Sequence, residues 1–203
     1  MNPRVLRRFV IIAGIATFVM FSVWAVAQVF LNRQPGDYYT RQGDNRLSEG
    51  KYDEAMESFN HALREMPNHR GALMGRALVY IRTSRDSEAV SELTHLIEYL
   101  EKTLESDDAT GRGTLAAAYA NRGIVNDRTG NYEQALADYV RALRTDPGAL
   151  SGPSLFDKII YGTPEPSTVR DRAIYLQQQL ALPEDKRLLR VPEIDKKQRM
   201  YKP

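Results

Sequence analysis

Hydrophobic and polar positions divide this chain into three unlike stretches. Between Arg8 and Arg33 no side chain is charged, and Phe9 to Leu31 is diluted only by Gly14, Thr17, Ser22 and Gln28. A helix over residues 9–31 rises ~35 Å at 1.5 Å per residue, enough to cross a ~30 Å hydrocarbon layer. Arg4, Arg7 and Arg8 precede it, whereas Arg33 after it is soon followed by Asp37. The positive-inside rule therefore puts residues 1–8 in the cytoplasm and the remainder outside, with residues 32–35 as a linker. Ala25-Val26-Ala27 before Gln28 also has the small-x-small form of a signal-peptide cleavage site, so a cleaved, secreted product is the alternative.

From residue 36 onward the apolar positions take helical spacing, and two segments nearly superpose. Gly50, Tyr52, Ala55, Phe59, Ala62 and Pro67 share their offsets with Gly130, Tyr132, Ala135, Tyr139, Ala142 and Pro147. A degenerate third copy lies between them, with Ser84, Ala89, Leu93 and Leu96 each 34 residues after Gly50, Ala55, Phe59 and Ala62. Upstream of each copy runs a matching first helix, marked by Tyr39 and Gly43, Leu73 and Ala77, and Tyr119 and Gly123. The spacing i, i+4, i+7 puts Ala55, Phe59 and Ala62 on one face. Gly50 and Gly130 suit left-handed caps, and the acidic Asp53, Glu54 and Glu133 suit the first turn of a helix.

This arrangement resembles the tetratricopeptide-repeat (TPR) family, in which 34-residue helix-turn-helix units stack into a solenoid. The resemblance implies an all-α fold of three helix pairs over residues 36–148: 36–69, then 70–103 with an insertion to 115, then 116–149. It departs from the family where Gln42, Arg76 and Arg122 stand in place of the usual Leu, and where the middle copy lacks its turn Gly and closing Pro. The second helix of that copy is expected to run on through residues 95–108. A polar loop from Glu105 to Gly113 should follow.

Residues 150–182 predict capping helices, a short one over Leu155–Tyr161 and another starting at Ser167 as N-cap. In the latter Val169, Ala173, Leu176 and Leu180 form one apolar stripe. Residues 183–203 carry seven Lys or Arg against four acidic residues. Their apolar side chains Leu188, Leu189, Val191, Ile194, Met200 and Tyr201 are punctuated by prolines, which predicts an extended basic arm ordering on a partner subunit or on its own domain.

Charge and composition then exclude functions. Of 28 Lys and Arg, three lie in the first eight residues, leaving 25 against 26 acidic residues in the body, which argues against a nucleic-acid face. The chain has no Cys and three His, and no phosphate-binding, nucleophile-elbow or HExxH motif, so no cofactor, metal or catalytic residue is expected. His61 and His95, 34 apart, are expected on an exposed outer face.

The resemblance implies instead a concave groove lined by the first helix of each pair: Thr40, Asp44 and Ser48; Met74, Leu78, Ile81 and Arg82; Ala120, Ile124, Asp127 and Arg128. An apolar centre ringed by charge suits a helical or extended segment with hydrophobic anchors. Chaperone-binding family members hold a C-terminal carboxylate with Lys and Asn, and Thr40, Asp44 and Ala117 occupy those places here. The expected protein is a bacterial inner-membrane scaffold with a lipid-embedded segment at 9–31 and periplasmic repeats. It would be an accessory subunit of a membrane complex, or alternatively a periplasmic assembly factor. An organelle-membrane receptor with cytosolic repeats needs the opposite orientation.

Overall fold

A computed structural model of the chain describes residues 3–31, 34–148 and 168–191. Every regular element among these is helical: α1 (Pro3–Leu31), α2 (Asp37–Ser48), α3 (Tyr52–Glu65), α4 (Arg70–Arg82), α5 (Asp86–Thr103), α6 (Ala109–Arg128), α7 (Tyr132–Thr145) and α8 (Val169–Leu180), followed by a 3-10 turn at Glu184–Lys186. Helix α1 includes Arg4, Arg7 and Arg8, and over Pro3–Gln28 it is apolar enough to cross a membrane or to act as a signal sequence. Its large side chains, among them Phe9, Phe18 and Trp24, face outward along its described length.

Helices α2 to α7 form three antiparallel pairs that stack in order, α2 with α3, α4 with α5 and α6 with α7, each pair packed on the next. Their turns are three copies of one motif. Lys51 N donates to Arg46 O at 2.9 Å, Arg85 N to Tyr80 O at 2.8 Å and Asn131 N to Asn126 O at 2.8 Å. This six-to-one closure requires a left-handed residue just past the helix. Gly50 and Gly130 supply it with φ 75° and 88°, and in the middle copy, which lacks the glycine, Ser84 adopts φ 57°.

Burial of the repeated positions is complete. Ala55, Phe59 and Ala62, then Ala89, Leu93 and Leu96, then Ala135, Tyr139 and Ala142 are all fully enclosed. Glycine permits the closest approaches. A Cβ on Gly43 would lie 2.6 Å from the Phe59 ring, one on Gly75 2.3 Å from the same ring, and one on Gly123 2.7 Å from Tyr139. Phe59 of α3 is thus wedged between backbones of α2 and α4, joining two repeats.

The insertion differs from expectation. Helix α5 stops at Thr103, and α6 begins at Ala109, so Gly111 and Gly113 lie within a helix rather than in a loop. Asp108 explains the early start: its carboxylate accepts from Gly111 N at 2.7 Å and from the Arg70 guanidinium, tying the new N-terminus to the preceding repeat. Asp108 is held below the usual carboxylate range by the Gly111 amide first and Arg70 second.

Helix α8 caps the stack against α7. Its N-cap is Thr168, not Ser167. Asp171 N donates to the Thr168 hydroxyl at 3.1 Å and Thr168 N donates to the Asp171 carboxylate at 3.2 Å, a reciprocal capping box. Val169, Ala173 and Leu176 are buried as the stripe predicts, and Leu180 is half-buried. The Leu155–Tyr161 helix lies outside the described residues, as do Ile194, Met200 and Tyr201.

Candidate functional site

The predicted groove residues, Arg128 apart, separate into two sets. Asp44, Ser48, Leu78 and Arg82 come together around a cavity of about 350 Å³, completed by Leu47, Gly50 and Tyr52. Thr40, Met74, Ile81, Ala120, Ile124 and Asp127 do not line that cavity and are buried, as is most of Leu78 within it. Helices α2, α4 and α6 touch along their own seam as well as through their partners, and that seam takes Met74 and Ala120 inside. The Asn121 amide donates to the Met74 sulfur at 3.5 Å across it.

Thr40 belongs to a cluster around His69. Its hydroxyl lies 3.4 Å from His69 Nδ1, Ala72 N donates to that nitrogen at 3.2 Å, and Nε2 meets Asp37 Oδ1 at 3.0 Å. Nδ1 accepts from the backbone, so Nε2 carries the proton toward Asp37. Partial burial works to raise the Asp37 pKa, but the His69 bond and the Gln34 amide outweigh it and hold the carboxyl below its ordinary value. The cluster closes the entry to α4.

Arginine stands in the last turn of both α4 and α6, but the two are placed differently. Arg128 donates to Asp86 and, at 3.5 Å, to the Ile81 carbonyl of the preceding repeat. Arg82 is the equivalent residue one repeat earlier, but the position matching Asp86 is Tyr52, which offers no carboxylate. Arg82 therefore stays exposed without an ion pair among the described residues, and the cavity beside it stays open.

Asp127 has a different partner from the one its groove position implies. The Arg172 guanidinium of α8 donates to it twice, both at 2.7 Å, and the Tyr139 hydroxyl donates at 3.2 Å. Arg172 is 2% exposed, within a helix face that the sequence presents as apolar. Beyond α8, Leu188 is 61% exposed, whereas Leu189 packs on the core. Val191 is half-buried.

Two further ion pairs sit where the family pattern is broken. Arg76 grips Glu92 with Nε and Nη2 at 2.9 and 3.0 Å and reaches Asn60 of the previous repeat at 2.9 Å. Arg122 grips Asp138 at 2.9 and 2.7 Å and reaches Thr94 at 2.9 Å. Each arginine clamps its own pair and the one before it. The Asp138 bond, against the opposing effect of burial, raises the Arg122 pKa further. The signal in sequence was an Arg and an acid 16 residues apart, repeated once.

Two models of the tetratricopeptide-repeat family match the chain, one over residues 46–104 and one over 116–148. Residues 46–104 and 116–148 are tetratricopeptide repeats. The wheat (Triticum aestivum) Hsp70-Hsp90 organizing protein is 25% identical over 120 residues, covering 59% of this chain and 19% of its own length. The rice (Oryza sativa subsp. japonica) U-box domain-containing protein 70 is 26% identical over 120 residues, covering 59% of this chain and 13% of its own length. This TPR chain thus spans a fifth or less of either relative. Among solved structures, the first TPR of Spaghetti (RPAP3) bound to the HSP90 peptide SRMEEVD superposes with a TM-score of 0.52 at 20% identity, covering 73% of this chain and 95% of that one. The Sgt2 TPR domain from Aspergillus fumigatus gives 0.50 at 13% identity, covering 76% and 89%. At these identities the structures share the fold with this TPR chain, a fold that serves as a protein-interaction scaffold.

Among the described residues no group of three His, Asp or Glu is arranged to hold a metal ion. His61 stacks on Tyr39 at 3.7 Å between ring centres, and exposed His95 bonds Asn68 at 3.2 Å. Tyr119 is pushed up to about 12 by burial and by the Glu101 carboxylate its hydroxyl bonds, which makes it a firm donor rather than a base.

Proposed function

We propose that this TPR chain is a membrane-tethered scaffold that holds protein partners at the periplasmic surface as an accessory subunit of a membrane complex. The observation that carries this reading is α1: over Pro3–Gln28 it is long and apolar enough to span a bilayer, and its large apolar side chains are exposed within the chain, a surface that suits lipid. The arginine cluster ahead of it supports a cytoplasmic N-terminus. Tethering confines the repeats to a surface and raises their effective concentration toward neighbouring membrane proteins.

The partner site in this reading is the cavity bounded by Asp44, Leu47, Tyr52, Leu78 and Arg82. It offers apolar walls and one cation, which suits an extended segment with a hydrophobic anchor beside a carboxylate or a helix carboxyl end. Acidic C-terminal peptides of the kind named in the RPAP3 structure are a poor match, because Thr40 and Ala117 are buried neutral residues and Asp44 offsets Arg82, so the cavity can receive one carboxylate but not a run of them.

Two measurements test this. The protein is expected in the membrane pellet after alkaline carbonate extraction, with a periplasmic reporter active when fused at the C-terminus; a mature N-terminus at Gln28 overturns the tether. Partners are expected at one-to-one recovery in mild detergent, and Arg82→Glu should lower that recovery at least roughly tenfold, the scale set by removing one charge-assisted hydrogen bond. Substoichiometric, salt-labile recovery would point to an assembly factor instead.

A further inference from the structure

The chain after α8 turns back along that helix and is held by three bonds through its main chain and by the side chains of Arg187 and Arg190. Arg187 donates to the carbonyls of Leu182 at 2.8 Å and Leu180 at 3.2 Å, at the carboxyl end of α8. Leu188 N donates to the Gln179 side chain at 2.8 Å, the Tyr175 hydroxyl donates to Leu188 O at 2.6 Å, and Arg172 donates to Leu189 O at 3.0 Å. Arg190 then donates to Arg128 O at 2.9 Å and lies 3.4 Å from the Tyr132 hydroxyl, at the carboxyl end of α6. Residues 172, 175 and 179 share one helix face, so they form a ladder of three polar groups at the pitch of an extended chain.

This ladder is built independently of what it holds. Arg172 is fixed by its two bonds to buried Asp127, and its guanidinium lies 5.4 Å from the centre of the Tyr175 ring. The occupant's packing in return is limited: Leu188 is exposed, while Leu189 packs partly buried against the core. What the seat selects is an extended backbone flanked by two arginines three apart, each on the negative end of a helix dipole. Bonds of this kind at the surface exchange readily with water, so the arm is far more easily lifted than the Arg172–Asp127 pair beneath it.

We propose that the α8 face carrying Arg172, Tyr175 and Gln179, with the open carboxyl end of α6, is a binding site for an extended Arg-apolar-apolar-Arg segment of a partner protein. At rest the chain's own residues 187–191 fill it, and a partner segment of the same chemistry takes the site when the arm lifts. The site does not depend on the membrane tether or on the cavity beside Arg82.

The test uses the full chain in detergent and a fluorescent, end-blocked peptide of sequence KRLLRV. In the double variant Leu188→Pro, Arg190→Glu the arm loses an amide donor and its terminal cation, while the seat is untouched. Polarisation should show the peptide binding this variant at least about tenfold more tightly than the unmodified chain, because a tethered arm competes at roughly millimolar effective concentration. Adding Tyr175→Phe, which leaves the buried Arg172–Asp127 pair intact, should weaken binding about threefold. Equal binding to both chains, undiminished binding of a KELLEV peptide, or no binding to either overturns the proposal. Concentration-dependent dimers of the unmodified chain that vanish with Arg190→Glu would make the occupant a second copy's arm, and also overturn it.

Discussion

Ser84 adopts φ 57° at the turn where Gly50 and Gly130 adopt 75° and 88°. For an L-residue the left-handed region costs ~1–2 kcal/mol, while glycine's extra freedom in the unfolded chain costs ~0.5–1 kcal/mol. The difference favours Gly here, so Ser84→Gly should stabilise the protein by about 0.5 kcal/mol and Gly50→Ser should destabilise it by a similar amount. Urea midpoints at unchanged slope measure both, and a drop in stability for Ser84→Gly would refute the assignment of strain. Gly75 obeys a different constraint. Its φ is ordinary, and what forbids a side chain is the Phe59 ring 2.3 Å from the Cβ position, so Gly75→Ala should cost ~1–3 kcal/mol. Tyr119 adds a dependence on pH. Its pKa is raised to about 12 by burial and then by Glu101, so its contribution is complete below the unfolded value near 10 and is lost as pH climbs through 12. Stability measured at pH 9 and pH 11 should therefore fall for the native chain more than for Tyr119→Phe.

At the scale of the helix, the ion-pair ladder replaces a hydrophobic contact that the repeat pattern leads one to expect. The Arg122–Asp138 pair is the more enclosed of the two, and Asn126 also bonds its carboxylate, at 3.3 Å. Removing one member of such a pair leaves a buried charge and costs ~3–5 kcal/mol, whereas removing both costs far less. A double-mutant cycle with Arg122→Leu and Asp138→Ala should therefore show strong coupling, and the cycle with Arg76→Leu and Glu92→Ala a weaker one. Equal, negligible coupling in both would make the ladder ornamental. The helix pairs themselves were legible because Gly, Ala and aromatic residues recur at fixed offsets, and each offset has one steric meaning. The start of α6 was not, because Gly111 and Gly113 read as breakers while the decisive signal was one capping carboxylate, Asp108, anchored by Arg70 from another repeat. The groove was half legible for a related reason. Stepping along a helix predicts a face, but only the seam between α4 and α6 decides that Met74 and Ala120 are inside while Arg82 is out. Arg172 was hidden because a stripe of Val169, Ala173 and Leu176 leads the eye past the charge among them.

For the whole molecule, a stack in which each pair touches chiefly its neighbours is stable only if its last face is covered. Helix α8 covers it here, and the cover is fastened by one buried bidentate pair between its first turn and the last turn of α6. Near-linear stacking implies that damage at this end propagates inward with decreasing effect. Arg172→Leu leaves Asp127 buried with the Tyr139 hydroxyl in place of a guanidinium, a destabilisation of ~3–5 kcal/mol at that junction. Amide exchange should then accelerate most in α7, less in α5 and least in α3, while adding Asp127→Asn should restore much of the protection. A uniform drop in protection across α3, α5 and α7 would mean instead that the six repeat helices unfold as one cooperative unit, with α8 an integral part of the core and not a lid upon it.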